Sequence, residues 1–246
     1  TNTLDPTYIT DYFFVPIFQG STSGYTSGGY FPPTAVNTID KFPFATDTNA
    51  TDVGDLTQAR YGTAGQSSDD NGYTSGGDAS PIIVNTIDKF PFSSDANATD
   101  VGDLTLARRY PAGQSSTTSG YSSGGLEPPV VNIIDKFPFS ADANATDVGD
   151  LTQLREQPAG QSSDANGYAS GGYSPLRNTI DKFPFSADAN ATDVGDLTQL
   201  KRGSAGQSSD ASGYSSGGRA PSSINTIDKF PFSTDANATD VGDLTQ

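Results

Sequence analysis

Cysteine, methionine, tryptophan and histidine are all absent from the 246 residues. Without cysteine there is no disulfide framework, and without cysteine or histidine there is no thiolate or imidazole metal site. A Ser-His-Asp triad and a cysteine nucleophile are excluded on the same ground. No apolar run reaches the roughly 18 residues that a membrane-spanning helix needs, so no membrane insertion is expected. Basic residues are scarce: 13 Lys+Arg against 29 Asp+Glu leave a net charge of −16. Phosphate backbones need the opposite balance, so nucleic acid is not an expected partner. Glutamate is nearly missing too, with Glu127 and Glu156 alone. The acidic residues are aspartates set among Gly, Ser, Thr and Asn, which favour turns over helices.

What is present repeats. Asp-Lys-Phe-Pro-Phe starts at Asp40, Asp88, Asp135, Asp181 and Asp228, at spacings of 48, 47, 46 and 47 residues. Asn-Ala-Thr-Asp-Val-Gly-Asp-Leu-Thr follows each time, from Asn49, Asn97, Asn144, Asn190 and Asn237. Gly-Tyr-x-Ser-Gly-Gly precedes each, with Tyr25, Tyr73, Tyr121, Tyr168 and Tyr214. Length varies only after Gly-Gly, so that stretch is expected to be a surface loop. Within residues 58 to 105 the local signals predict four strands: Arg60 to Ser67, Tyr73 to Ser75, Asn85 to Phe92 and Asp100 to Thr105. Strands at this spacing between turn signals predict an all-β fold. Four short strands in each ~47-residue unit is the arithmetic of a propeller blade.

The expectation is therefore a five-bladed β-propeller over residues 18 to 246, with an open repeat array or part of a larger ring as the alternatives. Ile87 and Phe90 are three positions apart and point to opposite faces of one strand. Such a strand needs cover on both faces, which neighbouring blades supply. Ten of the fourteen phenylalanines lie in the Lys-Phe-Pro-Phe copies and are read as inter-blade core. Asp95 and Asp100 are read as exposed. Lys41, Lys89, Lys136, Lys182 and Lys229 are read as solvated or paired with carboxylates rather than catalytic.

Asn85-x-Ile87-x-Lys89-Phe90, Asp103-Leu104, Arg108 and Gly120-Tyr121-x-x-Gly124-Gly125 resemble the kelch repeat. The resemblance covers residues 18 to 246 and implies propeller blades. The near-identical copies are also similar in style to repeat-rich structural proteins of marine bacteriophages. That likeness implies a virion or extracellular setting. Asp95-x-Asn97-x-Thr99-Asp100-x-x-Asp103-Leu104 resembles the calcium loop of integrin-type propeller repeats, in which oxygen ligands wrap a hard cation. Asp100 stands where that loop has its glycine, and the reading adopted is an Asx-turn with no metal and no cofactor. Asn-Ala-Thr is also an N-glycosylation pattern.

Five nearly equal blades give no residue a unique environment, and an active site needs differentiated acid, base and stabiliser. No catalytic residue is expected. The functional expectation is a non-enzymatic structural or display module, on an extracellular or virion surface, that assembles with other structural subunits, including itself, or attaches to a host surface. The alternative is a multivalent glycan-binding propeller with Tyr25, Tyr73, Tyr121, Tyr168 and Tyr214 as stacking residues. Residues 1 to 17 are set apart as an N-terminal segment, and residues 8 to 18 match no other part of the chain. The expectation is that Tyr12 to Phe18 closes the ring near Val241 to Thr245, or else anchors the module to another subunit.

Overall fold

The computed structural model describes residues 22–245. Every regular element in this range is a strand. The first sheet holds β1 (Ser23–Phe31), β2 (Thr34–Pro43) and β3 (Thr51–Asp55). The second holds β4 (Ala64–Ser67), β5 (Asn71–Ser75), β6 (Thr86–Pro91) and β7 (Thr99–Asp103). The third holds β8 (Ala112–Ser115), β9 (Ser119–Ser123), β10 (Ile133–Pro138) and β11 (Thr146–Asp150). The fourth holds β12 (Ala159–Ser162), β13 (Asn166–Ser170), β14 (Thr179–Pro184) and β15 (Thr192–Asp196). The fifth begins with β16 (Ala205–Ser208) and β17 (Ser212–Ser216). A small hairpin, β18 (Arg219–Ala220) and β19 (Ser222–Ser223), precedes its remaining strands β20 (Thr226–Pro231) and β21 (Thr239–Asp243). Each sheet is an antiparallel meander in chain order. Together they form a five-bladed β-propeller of repeated blades.

The strands fall where the sequence predicts them, with shifted ends: β4 and β6 are shorter than predicted, β5 starts two residues earlier at Asn71, and β7 starts one residue earlier at Thr99 and stops at Asp103. Arg60 to Thr63 lies outside β4 and crosses between blades instead. Pro91 is the last residue of β6, where its missing N–H removes no ladder bond inside the strand. Gly76 and Gly77 end the second strand's run with positive φ (64° and 118°), and a Cβ on Gly76 would lie 2.5 Å from the Arg108 carbonyl oxygen. Only glycine combines that conformation with that approach. The predicted variable stretches follow each Gly-Gly pair; that of blade 2 carries the exposed Ile82, whereas in blade 1 the stretch is a hairpin in which Tyr30 and the exposed Phe31 end β1 and pair with the start of β2.

Both faces of the third strand are covered, as its pattern requires. Ile87 packs with Tyr73, Leu104, Phe137 and Ala145, toward the next blade. Phe90 packs with Ile39, Leu56 and Ala98, toward the previous one. Among the described residues the core is thus not one mass but four clusters, one at each junction from blade 1 through blade 5. Phe90, Phe137, Phe183 and Phe230 are buried and Asp95 and Asp100 are exposed, as expected. Phe92, Phe139, Phe185 and Phe232 are only partly buried. Phe42 and Phe44 in blade 1 are exposed, which corrects the expectation that every copy is core. Tyr12 to Phe18 lies outside the described residues.

Candidate functional site

The chemistry of this chain is concentrated at the blade junctions. Consider the junction between blades 2 and 3. Gly120 in β9 has no side chain, and a Cβ there would sit 2.3 Å from Phe137 Cζ. The glycine lets the phenylalanine ring lie flat on the neighbouring strand. Tyr73 of blade 2 then meets Phe137 at 5.5 Å, tilted, and stacks on Phe139 at 4.8 Å. Such geometries suit the quadrupoles of the rings. The same trio recurs with Tyr25, Tyr121 and Tyr168.

A buried ionic group ties the same junction. The Arg108 backbone is held by blade 2: its N–H donates to the Val84 carbonyl, and its own carbonyl accepts from Gly77 N–H. Its side chain enters blade 3, where Nη2 donates to the Ser122 carbonyl and lies 3.0 Å from Asp135 Oδ2. Asp135 also accepts from the Thr105 N–H and hydroxyl. Both charged side chains are fully buried. Arg60–Asp88, Arg155–Asp181 and Lys201–Asp228 repeat the pair. Burial pulls the pKa values of Arg60, Arg108 and Arg155 down, and the facing aspartates oppose this. Desolvation makes each charge costly unless paired, so either partner alone would be strongly destabilising.

Nearer the axis, Gln66, Gln114 and Gln161 Nε2 donate to the carbonyls of Tyr121, Tyr168 and Tyr214 in the following blades. The N–H groups of Ser67, Ser115 and Ser162 donate to the hydroxyls of Ser115, Ser162 and Ser208, one blade to the next. At the outer edge, Asn97 Oδ1 accepts from Asp55 N–H, and Ala98 N–H donates to the Asp55 carbonyl. Lys41 Nζ donates to Asp95 at 3.1 Å across the same junction. That contact raises the Lys41 pKa. Lys41, Lys89, Lys136 and Lys182 do pair with carboxylates, but with those of the next blade and not with their sequence neighbours.

These contacts account for the calcium-like loop. Asp95 holds Lys41 and Asn97 caps the Asp55 N–H, so two of its oxygen groups already serve as inter-blade clasps. Among the described residues no three acidic side chains converge to hold a cation.

The tyrosines proposed for glycan stacking are the ones stacked between blades. Tyr73, Tyr121 and Tyr168 are 2–3% exposed, and burial raises their pKa values. Their rings have no free face for a sugar, because the phenylalanines of the next blade cover them. Tyr25 is partly buried against Phe90 and Phe92. Tyr214 is partly buried and lies near Lys229 Nζ at 5.9 Å. Sequence reasoning missed a different aromatic group, Tyr30, Tyr61 and Tyr110, which line a groove of about 820 Å³ beside the variable loops. The ring centroids of Tyr30 and Tyr61 are 5.2 Å apart, and those of Tyr61 and Tyr110 are 6.3 Å apart. Asp78 at the same loops accepts from the Tyr61 hydroxyl and pairs with Arg109. These residues lie outside the repeated phrases, so periodicity could not single them out. The buried Arg-Asp pairs were also missed, although Arg60, Arg108, Arg155 and Lys201 recur in phase.

The junction between the last blade and the first differs from the other four. Leu56, Leu104, Leu151 and Leu197 are 1–3% exposed, whereas Leu244 at the same repeat position is 44% exposed. Phe42 is 37% exposed, against 1–4% for Phe90, Phe137, Phe183 and Phe230. A Cβ on Gly195 would meet the Ala236 carbonyl, while one on Gly242 would meet nothing within 4 Å. All four residues of β16 are exposed, whereas Ala112 and Gln114 of β8 are buried.

No family model matches the chain, and no curated protein matches it in sequence.

Proposed function

We propose that the chain is a non-enzymatic structural and display module, carried on an extracellular or virion surface, where it joins structural subunits or attaches to a host surface. The observation that carries this reading is the use of the charged and aromatic repeat residues as inter-blade ties, with side chains that differ between blades gathered on the loops after Gly-Gly. Tyr30 and Phe31 at the end of β1, and Ile82 and Tyr173 in the stretches after the Gly-Gly pairs, are exposed. Exposed aromatic and aliphatic groups on variable loops suit protein contact. A kelch-like lineage for the blades is supported by the Gly-Gly pair after the second strand and the Leu-x-x-x-Arg crossover into the next blade. An epitope inserted in the loop of residues 78–84, followed by immuno-electron microscopy, tests the reading. Label on the outside of a particle or filament is expected. Label on dispersed free chains alone would refute it.

A second reading, a glycan-binding propeller, is favoured by the groove of Tyr30, Tyr61 and Tyr110 beside Asp78. Aromatic faces with a nearby carboxylate suit a sugar's C–H face and hydroxyls. A glycan array with wild type and Tyr61→Ser decides it: specific binding lost in the variant supports a lectin, and an empty array removes it.

A further inference from the structure

We propose that Arg177, Arg202 and Arg219, on the face of the propeller that carries the tyrosine groove, bind a sugar bearing one anionic group, either a uronic carboxylate or a sulfate ester. Nine of the 13 Lys+Arg side chains pair with a carboxylate. Among the described residues only these three arginines and Lys229 make no ion pair. The chain carries 29 Asp+Glu, so a shortage of acid does not explain three unpaired arginines on two neighbouring blades.

The repeat brings them together. The residue after each buried cation lies antiparallel to the residue after the next Gly-Gly pair: Tyr61 to Asp78, Arg109 to Leu126, Glu156 to Tyr173 and Arg202 to Arg219. Tyr61 of the groove belongs to the first of these pairs, so groove and arginines share one face. Only the last pair sets like charges opposite each other, with N–H donations both ways at 3.1 and 2.9 Å. Like charges so placed are destabilising, and an anion between them removes the penalty. The Arg177 carbonyl accepts from Lys201 N–H at 3.0 Å, which places Arg177 beside the same crossover. Arg177 Nε is enclosed without a partner, and its charge adds to the burial that pulls the Arg155 pKa down. Two of the guanidinium groups are already held in place. That of Arg202 lies 4.3 Å over the Tyr173 ring, and Arg219 Nε donates to the Pro221 carbonyl.

The chemistry sets the ligand class. A guanidinium fork matches the paired oxygens of a carboxylate or a tetrahedral oxyanion and keeps its charge at any working pH. Tyr173 is 39% exposed, which leaves apolar ring surface beside Arg202 for the C–H face of a sugar. The net charge of −16 opposes a long polyanion. Screening beyond about 8 Å at physiological salt leaves a single anionic group to the local arginines. The inference deepens the glycan-binding reading and rests on its premise that this face meets a sugar.

The test is an array of matched sugars, each displayed in neutral, uronic acid and sulfate ester form. It is probed with the wild type, Tyr61→Ser, Arg219→Gln and the double variant Arg202→Gln with Arg219→Gln. One charged form is expected to bind at least about tenfold more tightly than its neutral match, and which form does so identifies the group. High salt should weaken that binding, and the double variant should lose it. The double variant should melt no lower than wild type, because like charges are relieved. Arg219→Gln alone, at an exposed side chain, gives a second folded variant with weakened binding. Equal binding of charged and neutral forms, or undiminished binding by the arginine variants, overturns the proposal. Neutral binding lost only in Tyr61→Ser overturns it too but leaves the glycan reading standing, whereas an empty array removes both. Self-association in sedimentation that the double variant abolishes, with no sugar bound, would assign the arginines to the acidic surface of a second copy and also overturn the proposal.

Discussion

Replacing Phe137 by alanine removes a ring that is 1% exposed and packs with Tyr73, Ile87, Leu104 and Ala145. Deleting a buried phenylalanine side chain costs about 3–5 kcal/mol, because transfer energy is lost and the cavity closes only in part. The tilted pairing with Tyr73 at 5.5 Å places the value toward the upper half, since such pairs add about 0.5–1.5 kcal/mol beyond area. The site cannot collapse easily, because Gly120 leaves only backbone beneath the ring. The repeat supplies its own control. Phe42 occupies the same position in blade 1, but its ring is exposed, so Phe42→Ala should cost under about 1 kcal/mol in dilute monomer. Urea unfolding followed by both tyrosine fluorescence and circular dichroism measures the difference. With a slope near 3 kcal/mol/M, Phe137→Ala should lower the midpoint by about 1–2 M, and Phe42→Ala by far less. Equal losses for the two variants would refute the reasoning, because they would place both rings in equivalent packed junctions.

Asp135→Asn should cost about 3–5 kcal/mol by leaving Arg108 charged and unpaired, while Arg108→Lys should cost much less than Arg108→Ala, because Lys201 already fills this role in blade 5; thermal unfolding of the variants checks both. Gly160→Ala should destabilise by at least about 1–3 kcal/mol, since the new methyl would lie 2.2 Å from the Gly113 carbonyl oxygen; an unchanged melting curve would contradict the close strand approach. Asp78 is pushed up by burial but pulled down further by Ser80, Tyr61 and Arg109, so its folded pKa lies below the ordinary 3.8. Its contribution is present above that value and lost as pH falls through the folded pKa, so Asp78→Asn should flatten the acid limb of a stability–pH curve below 3.8. Chelator or added calcium should leave the melting temperature unchanged, because Asp95 and Asn97 are engaged by Lys41 and Asp55; a rise of many degrees with calcium would contradict this.

Much of the fold was legible because the repeat states each element five times. Ile87 and Phe90 showed a strand covered on both faces, and they do face different neighbours. Pro91 marked a strand end by its missing donor. The ionic hub was not legible, because Arg108 and Asp135 are far apart in sequence and each reads as a surface charge until the blades stack. Tyr73 and its copies entered the reading only as stacking residues of the glycan alternative, and three of them are among the most buried rings of the protein.

By itself the sequence determined the class of fold. Turn-rich composition, five phased copies and alternating aromatic positions leave little room for anything but repeated small sheets, because strand period and turn chemistry are local properties. Tertiary structure alone decided which copies are equivalent. Phe42 and Phe137, or Leu244 and Leu104, are the same residue in the same phrase, yet one of each pair is exposed and the other buried. Burial depends on having a neighbour in space, and the wording of a phrase does not say which copies have one.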